Sequence, residues 1–217
     1  MHTLNNYFQH IFVINLDRRR DRWFDVSQEL DIHNIKAEKI SAVDGKKLEP
    51  IKKCSLLPGE IGASMSHSSV LKKMISEKWE RILVLEDDIQ FSVNVKEFWN
   101  QNQQYIPEQW DMLYLGGNHM RPPVAINPVI SRCTKTFAAS SYGITLEHAK
   151  NIVWAIDELR VPVDVIYSSY HVSTNCFAFT PSICCQKPGN SDIQEKHVDY
   201  SEKFMTSGRK IIGKQFK

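Results

Sequence analysis

Ile82-Leu83-Val84-Leu85-Glu86-Asp87-Asp88, residues 82–88, sets the frame for the whole chain. Four consecutive aliphatic residues read as a strand buried on both faces, the pattern of a central parallel strand. A surface loop commonly opens with Gly, Pro or Asn, yet here the apolar run passes straight into three carboxylates. In extended chain Glu86 and Asp88 point to one side and Asp87 to the other. Open α/β sheets place their ligands beyond the carboxyl ends of the strands. Mg²⁺ and Mn²⁺ take such hard oxygen donors, usually one or two carboxylates completed by substrate phosphates and water. The competing reading is an acidic, solvated loop.

Working outward, a second run of the same kind, Ile11-Phe12-Val13-Ile14, ends at Asn15-Leu16-Asp17 and passes into a helical pattern through Arg22, Trp23, Val26 and Leu30. A strand is expected over Glu38–Ala42, closed by the turn Asp44-Gly45. A helix is expected from Gly59 to Lys78, with Ile61, Met65, Ile75 and Trp79 on its apolar stripe and Leu71 at the margin. Asn94 is placed to cap a short helix bearing Val95, Phe98 and Trp99. Met112–Leu115 reads as a strand stopped by Gly116-Gly117. Strand signals return over Phe137–Ile144, and Thr145 caps a helix carrying Ala149, Ile152, Val153 and Ile156. Past Pro162 come a short helix, a strand over Phe177–Thr180 and a Lys-rich tail. Strands alternating with helices predict an α/β fold with a mostly parallel central sheet flanked by helices, as one domain over residues 1–217.

Two further segments carry chemistry. Asn15-Leu16-Asp17-Arg18-Arg19-Arg20-Asp21-Arg22 follows a buried strand and opens a helix. Free backbone N–H groups and guanidinium forks there would suit a diphosphate; a solvated basic face is the alternative. The segment lacks the glycines of GxGxxG or a P-loop, so it is no dinucleotide or ATP fingerprint. Gly59-Glu60-Ile61-Gly62-Ala63-Ser64-Met65-Ser66-His67 concentrates small residues, which permit close approach of a ligand or of another backbone. His67 is either a ligand-binding group or a satisfied structural histidine.

Composition narrows the function classes. The 217 residues are 42% hydrophobic and 24% charged, with a net charge of +2, which speaks against a nucleic-acid surface. No apolar run approaches the roughly 20 residues of a membrane span, and Met1–His10 lacks signal-peptide character. Five cysteines with no C-x-x-C pair argue against a disulfide framework or a thiolate metal site. Free, mostly buried thiols in a reducing, cytoplasmic setting are expected.

Taken in order, Ile14-Asn15-Leu16-Asp17-Arg18-Arg19-x-Asp21-Arg22, Ala42-Val43-Asp44-Gly45, Gly59-Glu60-Ile61-Gly62-x-x-x-Ser66-His67, Leu85-Glu86-Asp87-Asp88, Trp110-Asp111-x-x-x-Leu115-Gly116 and Pro162-Val163-Asp164 resemble glycosyltransferase family 25. That family includes bacterial lipooligosaccharide galactosyltransferases and collagen galactosyltransferases. The resemblance covers about residues 10–195. It implies a GT-A (Rossmann-like) fold, a UDP-sugar donor, Mn²⁺ or Mg²⁺, and inversion at the anomeric carbon. The acceptor would be a saccharide or a hydroxylysine-type protein. Carried onto this chain, it assigns Asp88 and Asp87 to the metal and Asn15, Arg18, Arg22, Asp44, His67, Glu86 and Asp87 to the donor. Asp164 becomes the catalytic base, with Asp111 in reserve. The alternatives are a metal-dependent phosphoesterase, which would need more histidines around the carboxylates, and a degenerate domain that binds nucleotide sugar without transferring it.

Overall fold

The computed structural model describes residues 3–51 and 54–199; the Lys-rich tail beyond lies outside the described residues. The elements run α1 (Leu4–Tyr7), β1 (His10–Asn15), α2 (Arg20–Ile32), β2 (Glu38–Ser41), α3 (Pro58–Glu77), β3 (Arg81–Glu86), β4 (Ile89–Phe91), α4 (Val95–Asn102), β5 (Met112–Tyr114) and β6 (Asn118–Arg121). They continue with β7 (Val124–Ala125), β8 (Ile130–Arg132), β9 (Lys135–Phe137), β10 (Ser141–Thr145), α5 (Leu146–Asp157), α6 (Val163–Tyr170), β11 (Cys176–Phe179), β12 (Cys184–Gln186), β13 (Gly189–Asn190) and β14 (His197–Val198).

Eight strands form the central sheet in the order β2-β1-β3-β10-β5-β11-β8-β7. β2, β1, β3, β5, β11 and β7 point one way, and β10 and β8 run against them. The period-2 alternation of the strands divides their side chains between two cores. Ile11, Val13, Leu83 and Leu85 meet Val26, Leu30 and Trp99 on one face. Phe12, Ile14, Ile82 and Val84 meet Val70, Leu71, Met74, Ile152 and Ile156 on the other. So α2 and α4 cover one face, and α3 and α5 cover the other. β1 is followed by α2 and then by β2 on its outer side, whereas the chain crosses back through α3 to place β3 on the opposite flank of β1. The direction of winding reverses there, which opens a crevice beyond the carboxyl ends of β1 and β3.

Two expectations are corrected. The run expected as a strand over Phe137–Ile144 divides: β9 pairs with β6 in a separate hairpin, and β10 enters the main sheet antiparallel between β3 and β5. The break falls at Ala138, whose φ of 83° lies in the left-handed region and turns the chain out of strand geometry. No Gly or Pro marks it in the sequence. On α3 the buried stripe is centred on Leu71, with Val70, Met74, Ser64, His67 and Ser68 beside it, while Met65 and Ile75 are only half-buried. The small polar residues hide a face that a hydropathy reading discounts.

That face exists because the 43–45 segment presses on the start of α3. A Cβ on Gly62 would meet the Val43 carbonyl oxygen, and one on Gly45 would overlap the Pro58 carbonyl. Ser66 Oγ accepts the Val43 N–H at 2.8 Å and donates to the Gly62 carbonyl at 2.6 Å. Pro58 opens the helix at a position that needs no N–H, and the Glu60 carboxylate takes the Leu57 N–H at 2.8 Å. The expected caps form as well: Asn94 accepts from Glu97 N and Thr145 from His148 N.

Candidate active site

The carboxyl ends of β1, β2 and β3, the start of α3 and the start of α6 surround a cleft of about 630 Å³. Arg18, Arg22, Asp44, His67, Glu86, Asp87, Asp88 and Asp164 all line it, although they come from distant stretches of sequence. Asn15 lies beneath them and is 1% exposed. Its Nδ2 donates to Asp87 Oδ2 at 2.6 Å and to the Arg19 carbonyl at 3.1 Å. Its role here is to seat Asp87, and its own Oδ1 is buried without a partner.

The acidic triplet is held mainly by one cation. Arg22 Nη1 donates to Asp87 Oδ1 at 2.9 Å and to Asp88 Oδ2 at 3.2 Å. Burial pushes the Asp87 carboxyl above the usual range, against the pull of Arg22. Asp88 is pushed up to about 7 by burial and by the neighbouring charge of Glu86, with Arg22 opposing. Three carboxylates therefore share a confined space with too little positive charge. Among the described residues no group of three His, Cys, Asp or Glu side chains converges as a ready-made metal cage. A cation that draws part of its shell from phosphates and water needs none. The surplus negative charge and the carboxylate oxygens that line the cleft fit Mn²⁺ or Mg²⁺.

On the other side of the cleft, Asp164 sits in the first turn of α6. Its Oδ2 accepts the Ala138 N–H at 3.4 Å, so the left-handed turn that broke the expected strand also aims a donor at this carboxylate. Burial raises the Asp164 carboxyl above its ordinary value. Asp111 is absent from the cleft. It precedes β5 at the opposite end of the sheet, and its Oδ2 accepts the Asn175 N–H at 2.8 Å.

His67 is 1% exposed, and both ring nitrogens are engaged: Nδ1 with the Tyr142 hydroxyl at 2.8 Å and Nε2 with Glu86 Oε1 at 3.3 Å. It meets Glu86 and not the solvent side of the cleft. Of the carboxylates in the triplet, His67 meets Glu86.

Sequence reasoning missed the segment 186–198. Gln186 Nε2 reaches Glu86 Oε2 at 3.3 Å and Asp88 Oδ1 at 3.4 Å. The Asn190 carbonyl accepts from Arg22 Nη2 at 2.7 Å. Asp192 bridges the basic run, pairing with Arg18 at 2.7 Å and with Arg19, while Lys46 pairs with Glu195 at 2.6 Å. This strap forms one wall of the cleft, and a carboxylate occupies the guanidinium forks expected for a diphosphate. Its short strands have neither helical nor alternating periodicity, so no sequence signal announced it.

A profile of glycosyltransferase family 25 (LPS biosynthesis protein) matches residues 8–167. The chain is 31% identical over 196 residues to procollagen galactosyltransferase 2 of Homo sapiens, covering 76% of this chain and 31% of that protein. It is 28% identical over 135 residues to "Probable inactive glycosyltransferase 25 family member 3" of Rattus norvegicus, covering 53% and 24%. The chain thus spans less than a third of the length of these relatives. Among solved structures, a glycosyltransferase involved in the glycosylation of the major capsid of PBCV-1 is similar with a TM-score of 0.41 at 12% identity, covering 79% of this chain and 92% of that one. No helix among the described residues is long and apolar enough to cross a membrane.

Proposed function

Since the chain belongs to glycosyltransferase family 25, we propose that it is a hexosyltransferase, moving galactose or a related hexose from a UDP-sugar to a hydroxyl of a saccharide or hydroxylysine-type protein acceptor, with inversion. The observation that carries this reading is the juxtaposition in one cleft of the Arg22–Asp87–Asp88 cluster with Asp164.

Asp88, backed by Asp87, would hold Mn²⁺ or Mg²⁺, which when bound neutralises charge developing on the leaving diphosphate. Asp87 is held by short bonds at 2.6 and 2.9 Å, whereas the bonds to Asp88 from Arg22 and Gln186 are longer, at 3.2 and 3.4 Å, and on this reading Asp88 is the principal ligand. Arg22 offers its guanidinium to the same developing charge. Asp44, which accepts from Arg18 Nε at 3.1 Å, and Glu86 face the nucleotide and sugar. Asp164 accepts the proton of the acceptor hydroxyl on a carboxylate oxygen, and its raised proton affinity suits a base working nearer neutral pH. Attack opposite the leaving diphosphate inverts the anomeric centre directly, and no protein nucleophile is required.

The test is UDP release from UDP-galactose and UDP-glucose, with and without Mn²⁺, in the presence of saccharide and hydroxylysine-peptide acceptors. Release that requires both Mn²⁺ and acceptor is expected. Full release in excess chelator would remove the cation from the mechanism. Binding without release would favour a domain that holds nucleotide sugar without transferring it, the reading to which the rat relative's name lends support.

A further inference from the structure

A buried line of polar groups leads from the core to the cleft. Tyr167 on α6 and Tyr142 on β10 bring their hydroxyls within 2.8 Å of each other. Tyr142 in turn meets His67 Nδ1 on α3 at 2.8 Å, and His67 Nε2 meets Glu86 at the end of β3 at 3.3 Å. Tyr142 and Tyr167 are fully buried. Four elements from distant parts of the sequence thus converge on one carboxylate.

The directions of these bonds follow from the last acceptor. An ionised carboxylate can only accept, so His67 Nε2 carries the proton. In the neutral ring, the form probed at mildly alkaline pH below, Nδ1 is then an acceptor and Tyr142 donates to it. The Tyr142 oxygen in turn receives the Tyr167 O–H. Burial raises both phenols above their ordinary value, which keeps their protons in place. Outer partners of this kind select a histidine's tautomer and fix its ring orientation.

Glu86 itself is positioned from two sides, with His67 on Oε1 and Gln186 on Oε2. It lines the cleft with Asp88 and Asp164 and its charge acts on both carboxylates, which puts it near the transferred sugar if the diphosphate end and the base are as assigned above. A carboxylate retains further lone pairs after accepting these two bonds, and hydroxyl groups are their natural donors.

We propose that Tyr167, Tyr142 and His67 are positioning residues that hold the Glu86 carboxylate in one orientation, and that Glu86 reads hydroxyl groups of the transferred sugar. This rests on the nucleotide-sugar reading and moves His67 from ligand contact to support.

Tyr142→Phe removes the donor to His67 and keeps the ring. Tyr114→Phe is the control, because Tyr114 is equally buried and bonds His171 at 3.1 Å outside this line. Both variants should lose thermal stability. Tyr142→Phe alone should weaken UDP-galactose or UDP-glucose binding about five- to tenfold, the equivalent of one lost hydrogen bond, while its affinity for UDP stays at the wild-type level. Equal losses in both variants, or an equal loss for UDP and UDP-sugar, would overturn the proposal. A second arm needs no donor: ¹⁵N spectra at mildly alkaline pH, with His67 assigned through His67→Gln, should show the Nε2–H tautomer in the wild type and a mixture in Tyr142→Phe. A wild-type Nδ1–H tautomer would overturn the directional line. If the wild type binds no nucleotide sugar, the proposed function and the sugar-reading role of Glu86 both fall, and the ¹⁵N arm alone judges the positioning of Glu86.

Discussion

Asp88 and Asp111 are both aspartates beside a buried strand, at opposite ends of one sheet. Asp111 precedes β5, where the Asn175 N–H fills its Oδ2 and its own N–H donates to the Asn175 carbonyl at 2.9 Å. It ties β5 to the start of β11, and its geometry is closed. Asp88 follows β3, crowded by Glu86 and Asp87, and its proton affinity is raised to about 7. The contrast separates a carboxylate that completes a backbone pattern from one whose charge is left for a ligand to satisfy. Perturbation by burial and by neighbouring like charges is what marks a functional candidate.

The sharpest way to break this comparison is Asp88→Ala. Transfer should fall below detection and Mn²⁺-dependent binding of UDP should vanish, as read by calorimetry, whereas Asp111→Ala should retain both in the fraction that folds. Next comes Asp164→Asn. It keeps shape and a hydrogen-bonding oxygen but cannot take a proton, so turnover should drop by about 10²–10⁴-fold while the donor dissociation constant stays put. Near-normal turnover would leave Asp164 a structural role in the first turn of α6, accepting the Ala138 N–H, which an Asn oxygen can also do.

Stability should respond with opposite signs at the two ends of the sheet. Asp111→Ala leaves the Asn175 N–H unpaired, costing about 1–3 kcal/mol and lowering Tm by roughly 2–12 °C. Asp88→Asn should raise the Tm of the metal-free protein near neutral pH. The sign follows from linkage. Between the ordinary aspartate value of 3.8 and about 7 the folded state keeps a proton that the unfolded state has released. The Asp88 contribution to stability therefore falls as pH rises through that window and is flat above it. His119 and His171, both depressed to about 4 by burial, act the other way, losing stability as pH falls below the ordinary histidine range. The difference between wild type and Asp88→Asn across pH 4 to 7 isolates the aspartate, and a difference independent of pH would refute the assignment. The smallest effect belongs to the strap: Asp192→Asn releases Arg18 and Arg19 from partly exposed pairs worth up to about 1 kcal/mol each, so UDP should bind a few-fold more tightly, with a weaker dependence on salt.

Much of the architecture was legible because local chemistry and burial agree along the chain. Ile11–Ile14 and Ile82–Leu85 form strands whose neighbours cover both faces, and Asn94 and Thr145 cap the helices that follow them. Asp87, Asp88, Arg22 and Asp164 were visible as residue types at the ends of such elements. The Ala138 turn was not, since an alanine at positive φ leaves no mark in composition. The extended buried face of α3 was also hidden, because Ser66, His67 and Ser68 there are stabilised by hydrogen bonds that hydropathy does not count.

By itself, then, the sequence determined the strand–helix alternation, the motif order that places the chain in its family, and the concentration of acid and base chemistry after two buried strands. These depend on periodicity and on neighbours within a few residues. Only the tertiary structure decided which carboxylate is satisfied and which is crowded, that His67 is tied to Tyr142 and Glu86, and that Asp192 closes onto Arg18 and Arg19 across 173 residues of chain from the latter. Those outcomes depend on burial and on partners brought together from distant elements, and pairing of that kind has no signature in linear spacing.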